Sequence, residues 1–115
     1  MYSKNDFENL FVNGRSFVLA PLKVLWMQDD FKSPYPVKFG ISVPKKNFKA
    51  AVKRNKIKRQ VREVYRKNKT QLYDLLKSKG IKMLIGFVYI SKQEIPFEKL
   101  ELKIKSALER LSTVG

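Results

Sequence analysis

Residues Met83 to Ile90 form a near-continuous apolar run of eight. A membrane-spanning helix needs about 18–20 such residues, so the run reads as a buried strand. Such a strand needs neighbours, and the chain supplies them. Val37, Phe39, Ile41 and Val43 alternate with Lys38, Gly40 and Ser42, which is the period-two pattern of a strand with one buried face. Residues Phe17 to Met27 also read as extended, interrupted at Pro21. There Leu22, Val24 and Trp26 alternate with Lys23, Leu25 and Met27. Asp29 to Pro36 is a turn region, and Tyr35 before Pro36 favours extended backbone. On the 37–43 strand, the small residues Gly40 and Ser42 share a face with Lys38. That face either admits a ligand or is crowded by a neighbouring helix.

Helical signals flank these strands. Ser3, Lys4, Asn5 and Asp6 resemble a helix start, Phe7, Leu10 and Phe11 then share one helical face, and Gly14 is a stop signal. Pro44 to Asn47 break the central strand, and a long helix is predicted from about Lys49 to Lys67. A shorter helix from Gln71 to Lys79 ends at Gly80. Pro96 suits a first helical position, and Phe97, Leu100, Ile104, Leu108 and Leu111 form an amphipathic stripe. The predicted fold class is α+β, a small and mostly antiparallel sheet packed with helices in the order α-β-β-β-α-β-α. With 115 residues, no repeat and no linker, the chain is expected to be one RNA-binding domain over 1–115.

The RNA expectation rests on charge. The chain carries 25 Lys and Arg against 10 Asp and Glu, a formal net charge of +15. Such an excess costs self-repulsion on folding and suits a polyanionic partner. There is no cysteine and no histidine, so thiolate chemistry, imidazole acid–base catalysis and an ordinary zinc site are excluded. The adjacent pair of acids, Asp29 and Asp30, sits in a polar turn. Residues Met1 to Asp6 lack the apolar segment of a secretory signal. The chain is therefore expected to contribute no catalytic residue and no metal ligand, and to act in the cytoplasm.

The basic residues concentrate between Lys45 and Lys69, where Glu63 is the only acid. At about 100° per residue, Ala50, Ile57, Val61, Val64 and Tyr65 fall on one arc, predicted to pack on the sheet. Arg54, Lys58, Arg62 and Arg66 recur every fourth residue along its flank, and Asn55 and Arg59 extend that flank outward. Like charges at this spacing destabilise an isolated helix by a few tenths of a kcal/mol per pair. A row of phosphates reverses the sign of that repulsion, whereas the bland alternative is a solvated cationic face. Arg54 lies at the edge of the apolar arc, so its head is expected to be partly shielded.

Three stretches are distinctive as a set: Phe39 to Lys46, then Ala51 to Arg59, then Arg62 and Glu63. A strand, a Lys-Lys loop and a helix bearing the Ala51-Val52, Arg54-Asn55, Lys58-Arg59 and Arg62 pattern resemble the bacterial ribonuclease P protein family. Asp6, Phe7, Phe11 and Gly14 resemble that family's first helix. One departure is Lys56, where the family has arginine, which keeps the charge but loses the bidentate fork. Family members also often carry a basic extension before the first helix, whereas this chain begins almost at the helix.

The resemblance implies a role in precursor tRNA maturation, the hydrolysis of one phosphodiester that releases the 5′ leader. It implies that the catalyst is an RNA subunit with bound Mg2+, that ribonuclease P RNA and precursor tRNA are the partners, and that neither a membrane nor a small-molecule substrate is involved. It also implies a left-handed βαβ crossover of the kind found in a ribosomal protein domain. Carried over by position, Lys45, Lys46, Lys53, Arg54, Asn55, Lys56, Lys58, Arg59, Arg62 and Arg66 would contact RNA. Phe7, Phe11, Gly40 and Ser42 would border a cleft for the leader, with core packing the alternative for the two phenylalanines. A non-catalytic, ribosome-associated RNA-binding protein would share the charge and the basic helix. A membrane-surface protein fits less well, because the apolar arc is needed for the core.

Overall fold

The structure, a computed structural model, describes residues 4–114. The expected helix start at Ser3 lies outside the described residues. The chain runs α1 (Lys4–Asn13), β1 (Arg15–Leu19), β2 (Leu22–Gln28), β3 (Val37–Ser42), α2 (Ala51–Asn68), α3 (Thr70–Lys79), β4 (Met83–Tyr89) and α4 (Phe97–Val114). The strands form one sheet in the order β1-β2-β4-β3. β1 pairs with β2 and β2 with β4, both antiparallel, whereas β3 pairs with β4 in parallel. That parallel pair is why the chain needs a long crossover here, and α2 and α3 supply it. The α+β expectation holds, with two helices in the crossover.

β4 lies inside the sheet, and every one of its residues is buried, which explains the unbroken apolar run. Ile90 falls just outside the strand and is exposed. The two faces of the sheet bury different partners. Leu22, Val24, Val37, Met83, Ile85, Phe87 and Tyr89 point into the main core with Ile57, Val61, Val64 and Tyr65 of α2 and Leu100, Ile104, Ala107, Leu108 and Leu111 of α4. On the other face Leu25, Leu84 and Val88 pack with Leu10 of α1 and with Phe31 of the β2–β3 loop. Removing a methylene-rich side chain such as Ile104 from this core costs about 2–5 kcal/mol.

Two glycines end helices for different reasons. The Gly14 N–H closes α1 by donating to Leu10 O at 2.9 Å, and an added Cβ would sit 2.5 Å from that same oxygen, so no side chain fits. Gly80 caps α3 with φ 66°, a left-handed conformation that L residues with a Cβ disfavour. The long basic helix begins at Ala51, two residues later than predicted. Ala50 is extended and exposed, so it does not belong to the apolar arc. The cause is the loop before it. Phe48 is buried and Asn47 Nδ2 donates to Tyr89 O at 3.0 Å, which fixes the backbone short of the helix. Phe97 likewise sits at the exposed edge of its predicted stripe.

Candidate nucleic-acid interface

α2 is held by its apolar arc, and that anchoring decides where its charges go. Tyr65, on the arc edge nearest Lys58, stacks on Phe39 of β3, with ring centroids 3.7 Å apart and planes within 4°. Tyr65 and Tyr73 share a hydrogen bond at 2.7 Å, tying α2 to α3. These contacts turn the flank bearing Lys58 and Arg62 toward the β3 edge of the sheet. Asn55, Arg59, Arg62 and Arg66 are exposed and Lys58 is half-buried. Lys58, Arg59 and Arg62 enter no ion pair among the described residues.

Three of the predicted contacts are engaged otherwise. Arg54 is half-buried, and its Nη1 donates to the carbonyls of Phe48 and Lys49, both at 2.8 Å. It therefore braces the Lys45–Ala50 loop against the first turn of α2. The shielding expected from its place at the edge of the apolar arc is observed: the head of Arg54 is turned to the loop's backbone. Arg66 donates to Glu63 Oε1 at 2.8 Å, and this hydrogen bond is the main cause holding the Glu63 carboxyl below its ordinary range. Both side chains are solvent-exposed, so the pair is worth little in stability. Lys56 projects from the opposite flank with Lys53, and its Nζ lies 3.2 Å from Glu94 Oε2 in the β4–α4 loop. Sequence reading missed Glu94 because it is 38 residues away in the chain.

Lys45 and Lys46 are exposed in the loop that Asn47, Phe48 and Arg54 pin. Since Asn47 bonds to Tyr89, the last residue of β4, the two lysines stand at the C-terminal ends of the parallel β3–β4 pair. The sequence signal for this was an apolar Phe48 in an otherwise lysine-rich loop.

The face covered by α1 carries the second element of the site. α1 packs over β2 and β4. In register across that face lie Leu25, Gly86 and Gly40 in one row, then Lys23, Val88 and Ser42 in the next, with Lys38 beside Leu84. Gly40 and Gly86 are direct partners; Gly86 is buried and Gly40 partly exposed, so the missing side chain at Gly40 leaves a shallow trough at the β3 edge of this face. Gly40 and Ser42 are partly exposed, so a helix does not fully cover the face at these two positions. Phe7 packs against the smaller core cluster, whereas Phe11 is 58% exposed. Their rings are 6.3 Å apart, so the exposed ring is backed by the packed one. Lys38 Nζ lies 4.9 Å above the Phe31 ring at the same face.

Thus one edge of the sheet, β3, carries a cationic helix flank on one side and the shallow, partly exposed stretch at Gly40 and Ser42 on the other, with Lys45 and Lys46 at its end. No three Asp or Glu side chains gather among the described residues to hold a metal ion. None of the described helices is long and apolar enough to cross a membrane.

Comparison with known proteins decides the family. The sequence matches the family Ribonuclease P over residues 1–112. The chain belongs to the ribonuclease P protein family. The ribonuclease P protein component of Porphyromonas gingivalis is 34% identical over 113 residues, covering 97% of this chain and 82% of that protein. The component from Chlorobium phaeobacteroides is 36% identical over 112 residues, covering 89% and 77%. Among solved structures, the ribonuclease P protein of Thermotoga maritima superposes with a TM-score of 0.73 at 25% identity, covering 96% of this chain and 94% of that one. The Staphylococcus aureus ribonuclease P protein gives 0.63 at 25% identity, covering 96% and 89%. In this ribonuclease P family member, the β3, Lys-Lys loop and α2 stretch that carried the resemblance is also the stretch that forms the cationic edge.

Proposed function

We propose that the chain is the protein subunit of a ribonucleoprotein ribonuclease P. The exposed flank of α2 (Asn55, Lys58, Arg59, Arg62 and Arg66), with Lys45 and Lys46, seats the backbone of the RNA subunit. Lys53 and Lys56 extend this contact on the other flank, and Arg54 keeps the loop in place. The 5′ leader of precursor tRNA lies single-stranded in the shallow trough at Gly40, bordered by Ser42, Phe7 and Phe11. Aromatic faces at such a trough can stack on bases, worth about 1–3 kcal/mol each.

The observation that carries this reading is the ion-pair-free row Lys58, Arg59 and Arg62 at the same sheet edge as the trough. Self-repulsion along that row costs stability and is offset only when phosphates arrive. Hydrolysis belongs to the RNA partner, whose bound Mg2+ would activate water and stabilise the leaving oxygen. The chain's own part is to hold enzyme RNA and substrate leader at fixed separation, so that less magnesium is needed to keep them together.

Reconstitution tests the reading. Purified protein added to ribonuclease P RNA is expected to restore leader removal at magnesium concentrations too low for the RNA alone. Robust cleavage by RNA-free protein, or no rescue at any protein concentration, would overturn it.

A further inference from the structure

Away from the β3 edge, at the far end of the sheet, Asn13, Arg15, Trp26, Met27 and Gln28 line an open hollow of about 380 Å3. Arg15 and Trp26 are cross-strand partners. The guanidinium carbon lies 5.9 Å from the centre of the indole, at the outer limit of a cation–π contact and well beyond the roughly 3.5–4 Å of touching atoms. A planar ring inserted between them needs a separation of about 7 Å, twice the van der Waals contact distance, so a movement of about 1 Å of the flexible Arg15 side chain admits one. Trp26 is held from behind by the main core, which fixes one wall of the slot.

The rim has the chemistry to read what enters. Asn13 Nδ2 donates to Asn9 Oδ1 at 2.7 Å, which leaves the side-chain oxygen of this lining residue able to accept. Gln28 is exposed and offers both a donor and an acceptor. No carboxylate lines this hollow. Asp29 and Asp30 border a neighbouring hollow on the far side of Gln28 and would repel a phosphate there, so an anionic chain must leave past Arg15.

We infer that Arg15 and Trp26 form a slot for one unpaired nucleobase of an RNA strand, separate from both the α2 flank and the trough. The inference rests on the proposed RNA-binding role but assigns a third contact. An aromatic face plus an arginine suits a single-stranded base regardless of sequence, and the amide rim gives a preference among bases.

Trp26 is the only tryptophan in the chain, so its emission reports on this slot alone. The full chain would be titrated with short single-stranded oligoribonucleotides, with binding followed by anisotropy of a label and Trp26 emission read in parallel. The expected result is quenching that tracks binding, is lost when an abasic nucleotide replaces the seated base, and weakens about ten-fold in Arg15→Ala. Binding with unchanged Trp26 emission, or equal quenching by fully abasic strands, would overturn the slot while leaving RNA binding through α2 intact. Quenching by unrelated peptides but not by oligoribonucleotides would overturn it in favour of a protein ligand. Absence of any oligonucleotide binding at low salt would count against the RNA-binding reading itself.

Discussion

The guanidinium of Arg54 donates to Phe48 O at 2.8 Å and so closes the loop between β3 and α2 against the helix it precedes. One Nη1 serves both this carbonyl and that of Lys49. The relationship makes Arg54 a positioning residue for Lys45 and Lys46, which it does not touch. Its side chain reaches the loop because its helical position borders the apolar arc.

Arg54→Ala therefore differs in kind from the loss of an outward arginine. Two partly exposed carbonyls lose a charged donor, so stability should fall by about 1–3 kcal/mol, measured by denaturant unfolding. RNA affinity should fall with it through disorder of the loop. The slope of log affinity against log salt should change by less than one unit, because the Arg54 head is held to the loop's backbone. A full unit of lost slope would place its head on a phosphate instead.

If the proposed RNA contact of Lys56 holds, Glu94 is its competitor for that lysine. Their 3.2 Å contact is exposed at the lysine end, so Glu94→Gln should alter stability by no more than about 1 kcal/mol. It should tighten RNA binding and steepen the salt dependence as Lys56 becomes available. Filter binding at two salt concentrations suffices, and unchanged affinity would show that Lys56 already points away from the partner.

Gly40→Val separates folding from leader binding. A β-branched residue suits a strand better than glycine does, so the thermal midpoint should stay the same or rise. The added side chain stands in the trough, so preference for precursor tRNA with a leader over leaderless tRNA should drop roughly five- to ten-fold, about 1 kcal/mol. Affinity for the RNA subunit should not change. Paired binding measurements with the two tRNA forms check this.

Alkaline pH should loosen the joint between α2 and α3. Burial, the largest cause in each case, raises the Tyr65 and Tyr73 hydroxyls above the ordinary tyrosine value. A group whose folded-state pKa is raised gives stability that is complete below the unfolded pKa, about 10, and lost as pH climbs beyond it. Tyr73 should ionise first, since Tyr65 can then donate to it across their 2.7 Å contact. Unfolding free energy should thus be flat from pH 8 to about 10 and fall above it. Tyr65→Phe should be less stable at pH 8 but decline less steeply.

Periodicity made much of this fold legible. The alternation from Val37 to Val43, the apolar run from Met83 to Ile90 and the stripe from Phe97 to Leu111 are one-dimensional signals, and each became the element it announced, with Ile90 left just outside its strand. The parallel pairing of β3 with β4 left no such trace, because strand direction depends on the route of the crossover. The Lys58, Arg59 and Arg62 flank was legible from helical spacing. The capture of Arg54 by Phe48 O, and of Lys56 by Glu94, was not: one depends on loop backbone conformation and the other on two segments meeting in space. Ala50 was misplaced in the apolar arc for the same reason, since the pinned loop shortened the helix. The Arg15–Trp26 slot depends on cross-strand register, which the interruption at Pro21 hid.

The central claim is that α2 offers a preformed row of cations to an RNA backbone. The most direct measurement is the salt dependence of ribonuclease P RNA binding for the wild-type chain and for Lys58→Ala/Arg62→Ala. Each lost phosphate contact should lower the slope by about one unit, so the double variant should lose about two while keeping its fold by circular dichroism. An unchanged slope in a folded double variant would contradict the account.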